Sequence, residues 1–82
     1  MKMTMKITVV NTAAGGSIRM ELEPYEKISD IIDAAADYWG EGAGAFVIRK
    51  GPKLLVGSRT VEEVNLSDGD TVEMIPDPEG GS

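Results

Sequence analysis

Residues 18–40 read IRMELEPYEKISDIIDAAADYWG, and the spacing of the apolar residues changes once within this stretch. Up to Leu22 they alternate with polar residues, which is typical of a strand with one buried face. After Pro24, which has no backbone donor for a ladder, they recur every three or four positions from Ile28 onward. We therefore predict a strand and then a helix that is capped by Ser29 and ends at Gly40.

The residues before this stretch predict the other half of a hairpin. Apolar residues alternate with polar ones over residues 3–9, which indicates a first strand. Small residues and a glycine pair fill positions 11–17, and such residues permit the backbone angles of a tight turn. We expect two antiparallel strands joined by this turn.

The residues after the helix predict the rest of a sheet. We expect a third strand that ends near Lys50, followed by a short edge strand over residues 54–56. A single helical turn is expected over residues 59–65, and a last strand around Val72 and Met74. This order predicts an α+β roll in which one helix packs across a mixed sheet. The predicted core consists of Met5, Ile7, Val9, Ile18, Met20, Leu22, Ile28, Ile31, Ala35, Phe46, Ile48, Leu55, Val61, Leu66, Val72 and Met74.

The amino-acid composition of the chain excludes several classes of function. The 82 residues contain neither cysteine nor histidine, so the chain has no thiol nucleophile, no imidazole base and none of the usual zinc ligands. Eight basic and fourteen acidic residues give a net charge of −6, which repels nucleic acids and anionic membranes. We expect a protein that is not an enzyme, holds no metal or cofactor, and binds neither nucleic acid nor membrane.

The beginning of the sequence, MKMTMKITVV, has only a short apolar run and no small-residue cleavage site. No stretch approaches the roughly 20 apolar residues of a membrane span. We expect a soluble, cytoplasmic monomer.

With these features in place, the sequence resembles ubiquitin and its β-grasp relatives. The resemblance runs without a gap over the 58 positions of residues 24–81. It is carried by Leu22-Glu23-Pro24, Gly57-Ser58-Arg59-Thr60-Val61, Asn65-Leu66 and the closing Gly80-Gly81. It implies a ubiquitin-like β-grasp domain over residues 3–76 and a flexible diglycine tail over 77–82.

The resemblance also implies a chemistry for the tail. An adenylating activating enzyme would use ATP on the carboxylate of Gly81, after a processing metallopeptidase has removed Ser82. The acyl group would pass to a thiol, in some cases on a conjugating enzyme, and then to a lysine of a target protein. Diglycine suits this chemistry because no Cβ hinders the approach of an enzyme to the acyl carbon.

The tail departs from ubiquitin in charge, since Asp77 and Glu79 stand where ubiquitin has arginine. Acidic or proline-containing tails resemble those of archaeal modifiers and bacterial sulfur carriers. The leading interpretation is a prokaryotic protein modifier. One alternative is a sulfur carrier that ends in a Gly81 thiocarboxylate, and another is a β-grasp interaction module that is never conjugated.

The resemblance finally places a partner surface and a linking lysine. Arg49 and Ala13 replace an isoleucine and a leucine of ubiquitin's receptor patch, while Ile75 keeps an apolar residue there, and Val47 shares the strand face of Arg49. We expect ordinary ubiquitin receptors to bind poorly. Lys53 occupies the position of a chain-linking lysine, so polymerisation through it is a further hypothesis.

Overall fold

The computed structural model describes residues 4–77, which form a five-stranded sheet crossed by one helix. The α+β roll predicted from the sequence is therefore confirmed. The elements are β1 (Met5–Asn11), β2 (Gly16–Leu22), α1 (Ile28–Trp39), a short 3₁₀ helix (Ala43–Ala45), β3 (Phe46–Lys50), β4 (Lys53–Leu55) and β5 (Thr71–Pro76).

The sheet is mixed, and its strand order is β2-β1-β5-β3-β4. Strands β1 and β2 form the predicted antiparallel hairpin, while β1 runs parallel to β5. Strand β3 is antiparallel to both of its neighbours, β5 and β4. The first and last strands, β1 and β5, thus lie side by side in the interior of the sheet, and β2 and β4 form its two edges.

The core lies between the sheet and α1. Most predicted members are buried, but Met5, Ile18 and Met20 are only partly buried. Ile18 and Met20 belong to an edge strand, where no further strand covers them. Ala36 is buried although it was not predicted, because the helix buries one more residue beside Ala35.

The two ends of α1 use different devices. At the carboxyl end Gly40 adopts a left-handed conformation with φ 69°, as predicted, and its N–H donates to the carbonyl of Asp37 at 3.1 Å. At the amino end the cap residue is Lys27, so the prediction of Ser29 is wrong. The Lys27 N–H donates to Oδ2 of Asp30, an acid in the first turn of the helix.

A distant loop completes the amino end of the helix. The Ile28 N–H donates to the carbonyl of Arg59 at 2.9 Å, and the Ser29 N–H donates to that of Gly57 at 3.0 Å. The first N–H groups of a helix have no partner within it, so these carbonyls satisfy donors that would otherwise be unpaired. The helix start and the loop thus form one unit.

Several boundaries differ from the predictions. Strand β1 continues through Asn11, and β4 begins at Lys53, one residue earlier than expected. Residues 43–45 form a 3₁₀ helix instead of a flexible connection. In the segment predicted as a helical turn, Thr60 forms an isolated bridge with Lys27, and residues 61–65 form turns that include one helical hydrogen bond, from the N–H of Val64 to the carbonyl of Thr60. Within residues 4–77, no helix is long and apolar enough to cross a membrane.

Candidate functional site

The sheet face turned away from α1 brings together three residues of the predicted partner surface. Val47 pairs with Ile75 across β3 and β5, and Arg49 pairs with Glu73 two residues further along the same strands. All four are partly exposed. We call these four residues the outer patch.

An ion pair forms the centre of the outer patch. Both Nη2 and Nε of Arg49 donate to Oε1 of Glu73, at 2.8 and 3.2 Å. The two side chains are 38% and 34% exposed, so the pair remains in contact with water. The centre is therefore locally neutral but strongly polar, and a purely apolar partner would have to desolvate both charges.

Apolar residues flank this ion pair on the neighbouring strands. Leu54 of β4 pairs with Arg49 and is 54% exposed, and Val10 of β1 pairs with Glu73. Neither Leu54 nor Glu73 was predicted from the sequence as part of the surface. The alternation within each strand was visible, but the register between strands decides which residues become neighbours.

Ala13 lies beyond the strands, in the turn between β1 and β2, and is exposed. Its N–H donates to Oδ1 of Asn11 at 3.1 Å. Since Asn11 pairs with Met74, the turn leaves the sheet at the end where Ile75 follows on β5. Ala13 is thus placed at the margin of the outer patch and contributes only a methyl group.

Asn11 holds this turn in place. It is fully buried, and its Oδ1 also accepts the N–H of Ala14 at 3.1 Å. Its Nδ2 has no hydrogen-bond partner within the part of the chain that the structure describes. The side chain acts as a clamp that satisfies two turn donors from inside the fold.

Lys53, the predicted linking lysine, begins edge strand β4 and is exposed. It pairs in register with Lys50, but Lys50 Nζ donates to Oδ2 of Asp70 at 2.8 Å. This hydrogen bond, together with one from the N–H of Ser67, holds the pKa of Asp70 below its usual value. The charge of Lys50 is therefore balanced, whereas Lys53 has no ion-pair partner within residues 4–77.

A shallow groove of about 270 Å³ lies beside Lys53. It is lined by Lys53, Leu54, Val56, Arg59, Glu63 and Val64. Arg59 Nη1 is 3.8 Å from Oε2 of Glu63, while Oε1 of Glu63 accepts the N–H of Thr60. The latter bond is the main reason that the pKa of Glu63 lies below its usual value. The groove thus combines apolar side chains with an amine.

The carboxyl end of the described chain is attached to the sheet. Pro76 pairs with Phe46, and the N–H of Asp77 donates to the carbonyl of Ala45 at 2.8 Å. Pairing thus extends one residue into the segment that we expected to be tail. The predicted activation and cleavage residues, Gly80, Gly81 and Ser82, lie outside the described residues.

Comparison with known proteins gives a fold but no sequence family. No family model matches the chain, and no curated protein matches it. Among solved structures it is similar to the ubiquitin of Caldiarchaeum subterraneum, with a TM-score of 0.83, 22% identity and coverage of 95% of this chain and 99% of that one. It is also similar to the ubiquitin-like domain of Plasmodium falciparum Dsk2, with a TM-score of 0.82, 19% identity and coverage of 92% of this chain and 100% of that one.

A protein designed on the basis of ubiquitin is also similar, with a TM-score of 0.85, 19% identity and coverage of 96% of this chain and 95% of that one. These chains are matched over nearly their whole lengths, so the likeness covers the complete domain. The protein has a ubiquitin-like β-grasp fold. Identities of this size establish the fold and leave the activity to be argued from the residues.

Proposed function

We propose that this chain is a prokaryotic ubiquitin-like protein modifier, a substrate of enzymes that is not itself an enzyme. One observation carries the proposal. The last backbone bond of the described chain, from Asp77 to Ala45, precedes Gly80-Gly81 by only two residues. In the sequence, Gly80-Gly81 thus follows the final strand β5, which ends at Pro76, after only three residues. This short spacing supports activation at a diglycine that lies close to the folded domain.

The proposed chemistry begins with removal of Ser82 by a metallopeptidase, which leaves the carboxylate on Gly81. That carboxylate attacks the α-phosphate of ATP on an activating enzyme, forming an acyl adenylate and releasing pyrophosphate. An enzyme thiolate then displaces AMP to give a thioester. A lysine amine of a target protein finally attacks the acyl carbon, forms the isopeptide bond and releases the thiol.

The folded body would act as the recognition handle in the cytoplasm. Its outer patch has the Arg49–Glu73 ion pair at the centre, so we propose partners that present a carboxylate to Arg49 and a cation to Glu73. Apolar ubiquitin receptors would have to bury both charges without replacing their interactions with water. The acids Asp77 and Glu79 similarly favour an activating enzyme with a basic tail channel.

Lys53 is the lysine that we propose for chain formation. Its amine is exposed and has no ion-pair partner within the described residues, so deprotonation and attack on a thioester would not require an ion pair to break. The adjacent groove gives an enzyme a surface by which to orient it.

The tail also supports a second candidate, a sulfur carrier. Pro76-Asp77-Pro78-Glu79-Gly80-Gly81 combines prolines and acids before the diglycine, as bacterial sulfur carriers do. Activation would be the same, but sulfide transfer would convert the Gly81 adenylate into a thiocarboxylate. A β-grasp interaction module with an inert tail is the third reading.

Intact-mass spectrometry of the protein from its native cell separates the three functions. Loss of Ser82 together with Gly81 remnants on lysines of other proteins would establish the modifier. Loss of Ser82 with a gain of about 16 Da, the exchange of oxygen for sulfur, would establish the carrier. A chain that still ends in Ser82, with no remnants in the proteome, would rule out both.

A matched pair of glycine variants tests whether the tail carries the chemistry. In chains that end at residue 81, as after removal of Ser82, we expect Gly81→Ala to abolish adenylation by the native activating enzyme, because a Cβ would enter the acyl site. Gly44→Ala is the control, since a Cβ at Gly44 meets no atom within 4 Å. Pyrophosphate release measures the first step, and equal rates for the two variants would contradict activation at Gly81.

A further inference from the structure

The two edges of the sheet are protected to different degrees. Edge strand β4 has three residues and starts with an exposed lysine, Lys53. Edge strand β2 has seven residues, Gly16–Leu22, and lies at the opposite side of the sheet. Short length and lysine are two of the devices by which proteins prevent edge strands from pairing with other chains.

Strand β2 lacks the devices that would close its edge. It contains no proline and no inward-pointing charge, and its register with β1 runs without a bulge from Leu22 to Gly16. Its outward side chains include Arg19 and Glu21, which are both exposed and opposite in charge. Neither side chain forms an ion pair within residues 4–77. Two copies of this strand can therefore meet without net repulsion between their side chains.

The direction of the backbone groups follows from the neighbouring strand. The N–H of Thr8 donates to the carbonyl of Asp70, and the carbonyl of Lys6 accepts the N–H of Gly69, so both residues turn their polar groups toward the β5 side. Ile7, between them, must then turn its groups toward β2, where it pairs with Met20. On β2 the alternate residues, Arg19 and Glu21, consequently direct their N–H and C=O groups away from the sheet.

The inward face of the same edge is incompletely covered. Ile18 and Met20 pack against the core but remain partly exposed, whereas Ile7 and Val9, their partners on β1, are 1% and 0% exposed. An additional strand beside β2 would cover these two side chains further. The edge thus offers both unpaired backbone groups and apolar surface.

We propose that β2 pairs antiparallel with β2 of a second copy of this chain, across a two-fold axis at Met20. Arg19 of each copy then lies opposite Glu21 of the other, and these are the residues whose backbone groups point outward. The two pairs form four ladder hydrogen bonds and two cross-strand ion pairs. The neighbouring registers bring Arg19 opposite Arg19 or Glu21 opposite Glu21, which like charges disfavour.

The resulting dimer would be an isologous one in which two five-stranded sheets continue as one. Each copy carries a net charge of −6, so the association is expected to be weak and dependent on concentration. The sequence alone predicted a monomer, and the proposed pairing departs from that prediction at high concentration. Lys53 lies on the opposite edge and stays accessible, so the inference is independent of conjugation.

Sedimentation equilibrium of the full chain tests the proposal between about 10 μM and 1 mM, where weak interfaces assemble. We expect a reversible monomer–dimer equilibrium. Arg19→Glu and Glu21→Arg should each raise the dissociation constant at least about tenfold, because they create like-charge pairs. The double variant Arg19→Glu/Glu21→Arg should return it to within about threefold of the original value.

Control variants separate local pairing from total charge. Lys53→Glu and Glu62→Arg change the net charge as the two single variants do, but their positions lie away from β2. We expect their dissociation constants to remain close to that of the unchanged chain. Strong effects of the controls, or a double variant no better than the singles, would overturn the proposed register.

A proline variant tests the ladder itself. Arg19→Pro removes an outward N–H, and edge strands tolerate proline where the N–H faces solvent. Circular dichroism should show a folded chain, and sedimentation should show only monomer. If this variant does not fold, the dissociation constants of Arg19→Glu, Glu21→Arg and the double variant still test the proposal. A chain that is monomeric at 1 mM without any substitution would overturn the proposal and leave the edge to strands of other proteins.

Discussion

The two faces of the sheet use the same strands for opposite purposes. On the inner face Ile48, Val72 and Met74 are all 0% exposed and pack under α1. One residue along, Arg49 and Glu73 turn outward and form an ion pair whose side chains remain about one-third exposed. The inner face determines the fold, whereas the outer face can change its chemistry without loss of the fold. This explains how the outer patch can differ from that of ubiquitin on a shared scaffold.

The sharpest test compares adjacent residues on β3. Ile48→Ala should lower the free energy of unfolding by about 2–5 kcal/mol, because it opens a cavity in the core. Arg49→Ala should lower it by no more than about 1 kcal/mol, since it removes only a partly exposed ion pair. Urea denaturation measures both. Equal losses of unfolding free energy in the two variants would contradict the conclusion that the inner face, and not the outer face, determines the fold.

Asn11 is the polar exception on the inner face, and its replacement should give the next largest effect. Asn11→Ala should cost about 1–3 kcal/mol, because the N–H groups of Ala13 and Ala14 lose their acceptor. Thr12→Ala, an exposed position in the same turn, should be close to neutral. A neutral Asn11→Ala, measured by the same urea denaturation, would mean that the turn does not depend on its clamp.

The outer ion pair should matter more for recognition than for stability. Arg49→Leu/Glu73→Leu should change the free energy of unfolding by less than about 1 kcal/mol in either direction. The same variant should bind apolar ubiquitin receptors more tightly than the unchanged chain, because no charge is then buried. Isothermal titration calorimetry measures the affinity. If the double variant binds these receptors no more tightly than the unchanged chain does, the ion pair does not limit their affinity.

The smallest expected effect concerns pH. The Lys50 hydrogen bond lowers the pKa of Asp70 from its ordinary value of 3.8, so it stabilises the fold above that pH and less as pH falls through the lowered value. Lys50→Met should therefore lower the melting temperature at pH 7, and the difference should diminish as pH falls through the lowered pKa of Asp70. Lys53→Met, at an exposed lysine with no ion-pair partner within residues 4–77, serves as the control. A difference that did not change as the pH was lowered would point to lost packing instead.

Sequence periodicity predicted the inner face well because burial on one side of a strand imposes alternation. It could not predict the strand order, and for this reason Ile18 and Met20 were expected to be buried although β2 is an edge. The cap of α1 was misplaced for a related reason. Its donors are satisfied by carbonyls of residues 57–59, which no local pattern around Ser29 reveals.

The candidate site was predicted only in part. Arg49 and Ile75 came from the resemblance and Val47 from the alternation within its strand, and all three do share one face. Glu73 and Leu54 join them because of registers between strands that are distant in the sequence or joined by a turn whose geometry sets the pairing. The roles of Gly80 and Gly81 stay predictions, as does that of Lys53.

The hydrogen bonds that attach the start of α1 to the loop at Gly57 and Arg59 make two amides into natural reporters. The N–H groups of Ile28 and Ser29 can exchange with deuterium only when those carbonyls move away. Arg59 also lines the groove beside Lys53, so an enzyme that binds in the groove should change the rate of this exchange. Binding of an enzyme at Lys53, the lysine proposed as acceptor, could then be followed from inside the helix, without a label on the surface beside that lysine.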